Sequence, residues 1–318
     1  MAAVLTMLPD PALLTQAHGD ALRPDGRPAP STREQLRRIP SYRNALTVAS
    51  VYAQTIAIAV IAVRLDNPFV WVAAFVLMGR AHAQIAALMH EAAHRLLFRN
   101  RKANDFVGRW LLGFPSFTPI DGYRRAHMAH HRQEFGPDEP DIPLYRGYPI
   151  TRASFRRKLG RDATGRTGWK LFKGLLRGVR SADPATRFQA RAIIACQLVL
   201  IAVTVALGHP WLWLLLWFLP HLTVWRVINR LRSIAEHGGM EMSDDRRNTT
   251  HSVRQHPVAR FVMVPYWIGW HLAHHVDSGV PMRNLPKYHR LLVEGGYVQP
   301  GLEYPSYPSL WRALSSGA

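Results

Sequence analysis

The stretch "PFVWVAAFVLMGRAHAQIAALMHEAAH", residues 68–94, joins two patterns in one helix. Its first 22 residues carry a single charge, Arg80, and are long enough to cross a bilayer core, which takes about 20 residues. Its last five are His90-Glu91-Ala92-Ala93-His94, two imidazoles four residues apart and so on one helical face. Taken alone, H-E-x-x-H reads as a zinc-dependent membrane protease, with His90 and His94 as ligands and Glu91 as general base. The rest of the chain decides whether the box stands alone.

Three more apolar runs accompany it. "ALTVASVYAQTIAIAVIAV" (45–63) precedes it, with only "RLDN" between. "AIIACQLVLIAVTVALG" (192–208) and "WLWLLLWFLPHLTVW" (211–225) are joined by "HP". The expectation is an all-α integral membrane protein with four transmembrane helices, the fourth kinked where Pro220 removes a backbone donor. Residues 1–44 are polar, Pro-rich and basic and read as an N-terminal arm. Residues 45–318 read as one membrane domain. Arg and Lys crowd the arm and residues 90–191, whereas the turns at 64–67 and 208–210 carry only Arg64. The positive-inside rule then puts both termini and the long middle segment in the cytoplasm, with a helical cap carrying the histidine boxes on that side. The preference for Arg and Ala points to a bacterial chain, hence to the inner membrane. "FVGRWLLGFPSF" (106–117) and "FVMVPYWIGW" (261–270) are too short to cross and read as interfacial segments beside the boxes.

Composition narrows the chemistry. The chain has 318 residues, 40 Lys+Arg against 21 Asp+Glu, and one cysteine, Cys196. That excludes an internal disulfide, a Cys-ligated zinc and an intrinsic iron–sulfur cluster. In a chain with membrane spans the net charge of +19 points away from nucleic acid. It suits anionic headgroups or, at the basic segment 150–191, a separate acidic electron-transfer protein.

The histidines come in facets. His127, His130 and His131 ("HMAHH") share a helical face by their i, i+3, i+4 spacing, and His271, His274 and His275 ("HLAHH") repeat it. His237 follows in "SIAEHGG". Nine imidazoles overfill one zinc and suit two metals with four or five nitrogens each, although imidazole alone does not choose among iron, copper, nickel and zinc. Glu91, Glu236, Asp138, Asp141 and Asp277 are the acids placed to accept from ligating imidazoles.

"HEAAH", "HMAHH" and "HLAHH" resemble the three boxes of the integral-membrane fatty acid desaturase and hydroxylase family. "HLAHHVDSGVPMRNLPKYHRLL" is similar to that family's third box and the stretch after it, and "HHRQEFGPDEPDIPLY" to the segment after its second box. The resemblance covers about residues 45–295. It implies two non-haem irons, O2 as co-substrate, a lipid or acyl-chain substrate, and electrons from a separate donor of ferredoxin or cytochrome b5 type. It gives His237 the place of the extra ligand between the boxes. The implied reaction is desaturation, with hydroxylation of a lipid or other hydrophobic substrate as the alternative. Stearoyl-type relatives carry an asparagine one turn before the extra histidine. Here that position is Ser233, and the nearest asparagine is Asn229.

Overall fold

A computed structural model describes residues 7–317, and its regular structure is almost wholly helix. The principal helices are α1 (Ser41–Leu65), α2 (Pro68–Ala93), α3 (Ile120–Arg132), α4 (Arg166–Gly178), α5 (Pro184–Ala206), α6 (Val224–His237), α7 (His271–Val276) and α8 (Leu285–Glu294). The sheet among the described residues is one parallel pair of two-residue strands, β1 (Ser252–Val253) and β2 (Glu303–Tyr304). The chain divides into two compact units. One is formed by residues up to Ile39, Arg125–Arg157 and from Arg230 onward, the other by Pro40–Arg124 and Lys158–Asn229.

The second unit holds the apolar helices. α1 and α2 form a tight antiparallel hairpin. Asp66 adopts a left-handed conformation that ends α1. Asn67 accepts from the Phe69 amide (2.9 Å), and Pro68 opens α2. From Met78 onward α2 is largely buried. α1 and α5 instead expose rows of large apolar side chains, among them Ile56, Val60, Ile61, Leu198, Val199 and Val203. In water such a band would be unfavourable by about 25 cal/mol per Å2. Against lipid tails it is the expected outer face, so the unit reads as membrane-embedded. Within it, Arg80 donates to Gln84 (3.0 Å) and Gln54 (3.3 Å), so this intramembrane charge is met by side-chain amides.

The expectation of four spans is corrected to three. Among the described residues, Pro30–Leu65, Pro68–Ala93 and Pro184–Ala206 are long and apolar enough to cross. The run 211–225 does not form one straight helix. Trp213–Phe218 is wound as a π-helix, Leu219–Leu222 forms one α-turn, and Thr223 leaves helical geometry (φ −118, ψ −83) before α6 begins. Pro220 supplies no N–H, and the Thr223 hydroxyl donates back to the Leu219 carbonyl (2.6 Å). The indoles tie the run sideways: Trp213 donates to Gln197 (3.0 Å) and Trp217 to the Pro115 carbonyl (2.8 Å). Hydropathy registers the apolar residues and misses this break.

The first unit is poorer in helix and is held by side chains on backbone groups. Arg33 Nε donates to Asp277 (2.6 Å), Asn284 to the Leu36 carbonyl (2.7 Å) and the Tyr288 hydroxyl to the Gly26 carbonyl (3.0 Å). Arg247 donates to the carbonyls of Thr15 (2.7 Å) and Tyr297 (3.0 Å). Apart from the Arg33–Asp277 ion pair, these bonds satisfy backbone carbonyls that no helix or sheet ladder would reach.

α4 docks on the break at Leu222 through Gly168. A Cβ there would lie 2.3 Å from the Leu222 carbonyl oxygen, which is backbone and cannot rotate away. Gly168→Val should therefore cost roughly 1–3 kcal/mol. Thermal unfolding of the detergent-solubilised protein would show the loss. Gly160→Ala, where a Cβ meets nothing within 4 Å, should leave the midpoint level or higher. A Gly168→Val midpoint equal to that of the unaltered protein would contradict the docking.

Candidate metal centre

The second unit carries His90 and His94 at the C-terminal end of α2. His90 is buried and His94 half-buried, with ring centroids 4.7 Å apart. Arg124 caps this helix end, donating to the carbonyls of Ala93 (3.0 Å) and Ala92 (3.0 Å) and to Asp105 (2.6 Å). Asp121, in the first turn of α3, is held by a two-pronged bond from Arg109 (2.9 and 3.0 Å). Glu91 is buried on α2.

The first unit gathers the other seven histidines into two clusters. In one, Nε2 of His131 lies 3.1 Å from Nε2 of His127 and 3.1 Å from Nε2 of His274. In the other, Nε2 of His271 lies 3.2 Å from Nε2 of His237 and 2.9 Å from Nε2 of His275, and His130 joins His237 and His275 within 4.8 Å. The i, i+3, i+4 spacing explains the division. His127 and His131 of α3 go to one cluster with His274, while His130 goes to the other with His271 and His275.

The far side of the second cluster explains its orientation. His130 Nδ1 bonds Glu139, which also accepts from the Phe135 amide and the Tyr145 hydroxyl. His275 Nδ1 bonds Glu134, which is paired with Arg246 (2.8 Å). His237 Nδ1 donates to the Thr249 carbonyl (2.8 Å). His271 Nδ1 lies 3.5 Å from Glu236, itself bonded by Arg232 Nε (2.5 Å). A neutral imidazole has one proton. With that proton on Nδ1, each Nε2 presents a lone pair inward.

Lone pairs facing each other at about 3 Å repel unless a cation lies between them. Metal–imidazole bonds of about 2.0–2.1 Å at near right angles put neighbouring nitrogens about 3 Å apart. The residues present therefore fit a metal. Burial acts in the same direction, holding His237, His271 and His275 well below the usual imidazole range and so neutral. Burial also pushes His130 down, but the hydrogen bond and charge of Glu139 outweigh it and leave that value raised. Burial raises Glu134 and Glu236 against the opposing pull of Arg246 and Arg232.

The acids expected beside the metals are distributed differently. Glu236 lies by His271. Asp277 is engaged by Arg33 and by the Gly279 amide (2.9 Å). Asp138 is exposed, and Asp141 precedes the short helix Ile142–Tyr145, its carboxyl raised by burial. Sequence reading missed Glu134 and Glu139, which the structure places on His275 and His130. The available signal was weak: both lie in the acidic stretch just after the second box. Ser233, one turn before His237 on α6, is buried.

Glu139→Gln keeps the shape but weakens the acceptor on His130. Metal affinity should fall roughly 10–100-fold. Competition against a chelator of known affinity would measure it, and unchanged affinity would show that Glu139 does not support a ligand.

Comparison with known proteins agrees with this geometry. Residues 66–308, well over half of the chain, match the fatty acid desaturase family model. The chain is 24% identical over 289 residues to dihydrorhizobitoxine desaturase of Bradyrhizobium elkanii, covering 85% of this chain and 79% of that protein. It is 22% identical over 301 residues to an sn-1 acyl-lipid omega-3 desaturase (ferredoxin) of Nostoc sp. (strain 36), covering 86% and 80%. A shorter match, 45% identical over 60 residues, links 18% of this chain to 12% of a Delta(5) fatty acid desaturase of Caenorhabditis elegans. Three histidine boxes, apolar spanning helices and a family match over most of the length together make this chain a member of the fatty acid desaturase family.

Proposed function

We propose that the chain is an O2-dependent di-iron desaturase that places a C=C bond in an acyl chain. The observation that carries this reading is the pair of imidazole clusters whose Nε2 atoms converge at about 3 Å, with carboxylates on Nδ1 of His130 and His275 and a carbonyl on Nδ1 of His237 in the second cluster. One iron is assigned to His127, His131 and His274, and His90 and His94 are assigned as metal ligands on the resemblance of the first box. The other is assigned to His130, His237, His271 and His275. Bound there, the two irons supply the activation of O2 needed to take hydrogen from an unactivated C–H bond. Overall, two hydrogens leave the chain, two electrons and two protons enter from outside, and one O2 becomes two waters.

The chain's own residues do the positioning. Glu134, Glu139 and the Thr249 carbonyl fix the tautomers of His275, His130 and His237, and burial of the ligands keeps bulk water from the clusters. Electrons are assigned to a separate donor of ferredoxin or cytochrome b5 type, as the family resemblance implies. The Nostoc relative, named as a ferredoxin-type enzyme, supports that choice. The basic segment 150–191 is assigned as the donor's dock, on the cytoplasmic side of a bacterial inner membrane, and with three regular spans the broken apolar run 211–225 is assigned as the irregular return path that brings the later histidine boxes to that same side. Two relatives that cover most of the chain act, by name, on an acyl lipid and on dihydrorhizobitoxine. The spanning helices favour a substrate drawn from the lipid.

Purified protein should hold close to two irons per chain by elemental analysis. His127→Ala and His274→Ala should lower the iron content and abolish product, and His209→Ala should leave iron unchanged. One zinc and no iron would overturn the reading. In a host expressing the protein, mass spectrometry should find a product lighter by two hydrogens. A product gaining one 18O from 18O2 would instead mark a hydroxylase.

Turnover should also fall as ionic strength rises from about 0.05 to 0.3 M, because screening weakens docking of an acidic donor. A salt-independent rate under donor-limited conditions would remove the basic segment from that role.

A further inference from the structure

α4 is amphipathic. Trp169, Leu171 and Leu176 are exposed apolar residues on it, and Arg166, Lys170, Lys173 and Arg177 are interspersed. Beside it, within the second unit, lies a cavity of about 350 Å3. Its walls include Phe117, Pro119, Leu171, Phe172 and Leu175, and it is also lined by His221 and Arg226. Gly174 and Leu171 line it and are themselves exposed, so it reaches the surface along α4. No iron-ligand histidine lines it.

Two histidines in this unit are treated in opposite ways. His82 has both ring nitrogens engaged, Nδ1 with the Ser116 hydroxyl (2.7 Å) and Nε2 with the Trp217 carbonyl (3.0 Å). His221 packs against His82 (4.9 Å between centroids) and Phe117 (4.6 Å), and its Nε2 accepts from Arg226 Nη2. A nitrogen that accepts carries no proton, so the single proton of His221 is on Nδ1. That Nδ1–H is buried and has no hydrogen-bond partner among the described residues, and the same holds for Arg226 Nε–H. Asp162 is buried and its field reaches Arg226, yet no bond meets Nε.

Two buried donors without acceptors, one of them cationic, are unfavourable beside apolar walls. A carboxylate offers two oxygens with lone pairs to spare and one negative charge for the one guanidinium. The volume lies at the small end of the range for ligand sites. We infer that this cavity docks an amphipathic carboxylic acid. Its carboxylate accepts from Arg226 Nε–H and His221 Nδ1–H, its hydrocarbon lies against Phe117, Phe172 and Leu175, and it enters along α4 from the lipid. The inference goes beyond the proposed function, because docking of the acid requires neither turnover nor any position for the double bond.

The test is binding to the purified, metal-loaded full chain in nanodiscs. Sodium octanoate should raise the thermal midpoint in a saturable way, and 1-octanol at matched free concentration should not. Arg226→Met should weaken octanoate by roughly tenfold or more. Its midpoint without ligand also changes, because His221 Nε2 loses the Arg226 donor, so the octanoate shift is read against the variant's own unliganded midpoint. Gly174→Phe, at an exposed position where a Cβ meets nothing within 4 Å, should fold normally and lose the octanoate response by obstructing the mouth. Equal protection by octanol, an unchanged octanoate response in Arg226→Met, or an unchanged response in Gly174→Phe would each overturn the inference.

Discussion

The hydrogen bonds on the outer edges of the histidines are what the arrangement of the histidine clusters depends on. An imidazole free to choose its tautomer presents either a proton or a lone pair to its neighbours. Glu139 on His130, Glu134 on His275 and the Thr249 carbonyl on His237 remove that choice. Once Nδ1 is committed as donor, Nε2 must act as acceptor or ligand, and neighbours at about 3 Å become a binding site rather than a hydrogen-bonded chain. These acceptors are anchored in turn. Arg246 pairs with Glu134 and also donates to the carbonyl of His131, so one guanidinium serves residues of both clusters. Pairing with Arg246 offsets the burial of the Glu134 carboxylate, the condition under which buried charge is tolerated.

Much of this was legible in the sequence, for a geometric reason. The spacing i, i+3, i+4 projects three imidazoles from one helical face wherever the helix lies, so "HMAHH" and "HLAHH" announce histidine facets without any tertiary information. The acceptors were not legible. Glu134 serves His275, 141 residues away, and no local periodicity encodes a partner at that separation. Asp138 and Asp141 lie in the same acidic stretch as Glu139, and composition alone could not say which carboxylate turns inward. Asp277, two residues past the third box, is instead the partner of Arg33 in the N-terminal segment.

The membrane reading succeeded and failed along the same line. Length and apolarity suffice for Ser41–Leu65, Pro68–Ala93 and Pro184–Ala206, where every backbone bond stays inside the helix. They do not suffice for 211–225. There one proline and one threonine turn the chain out of helical geometry, and two indoles bond sideways to Gln197 and the Pro115 carbonyl. A hydropathy window averages over residues and cannot register a break made at a single one. The break also creates the surface on which α4 docks through Gly168.

The same apolar surroundings make unmet donors informative. Lipid-facing units leave few polar groups without partners, because no water is at hand to repair the omission. His82 follows that rule with two bonds, and Arg80 follows it with two glutamine side chains. His221 and Arg226 depart from it at one cavity, and each does so with a donor, never an acceptor. Two donors of one polarity, on two residues that bond each other and line the same apolar cavity, describe the complement of an anion with a hydrocarbon body.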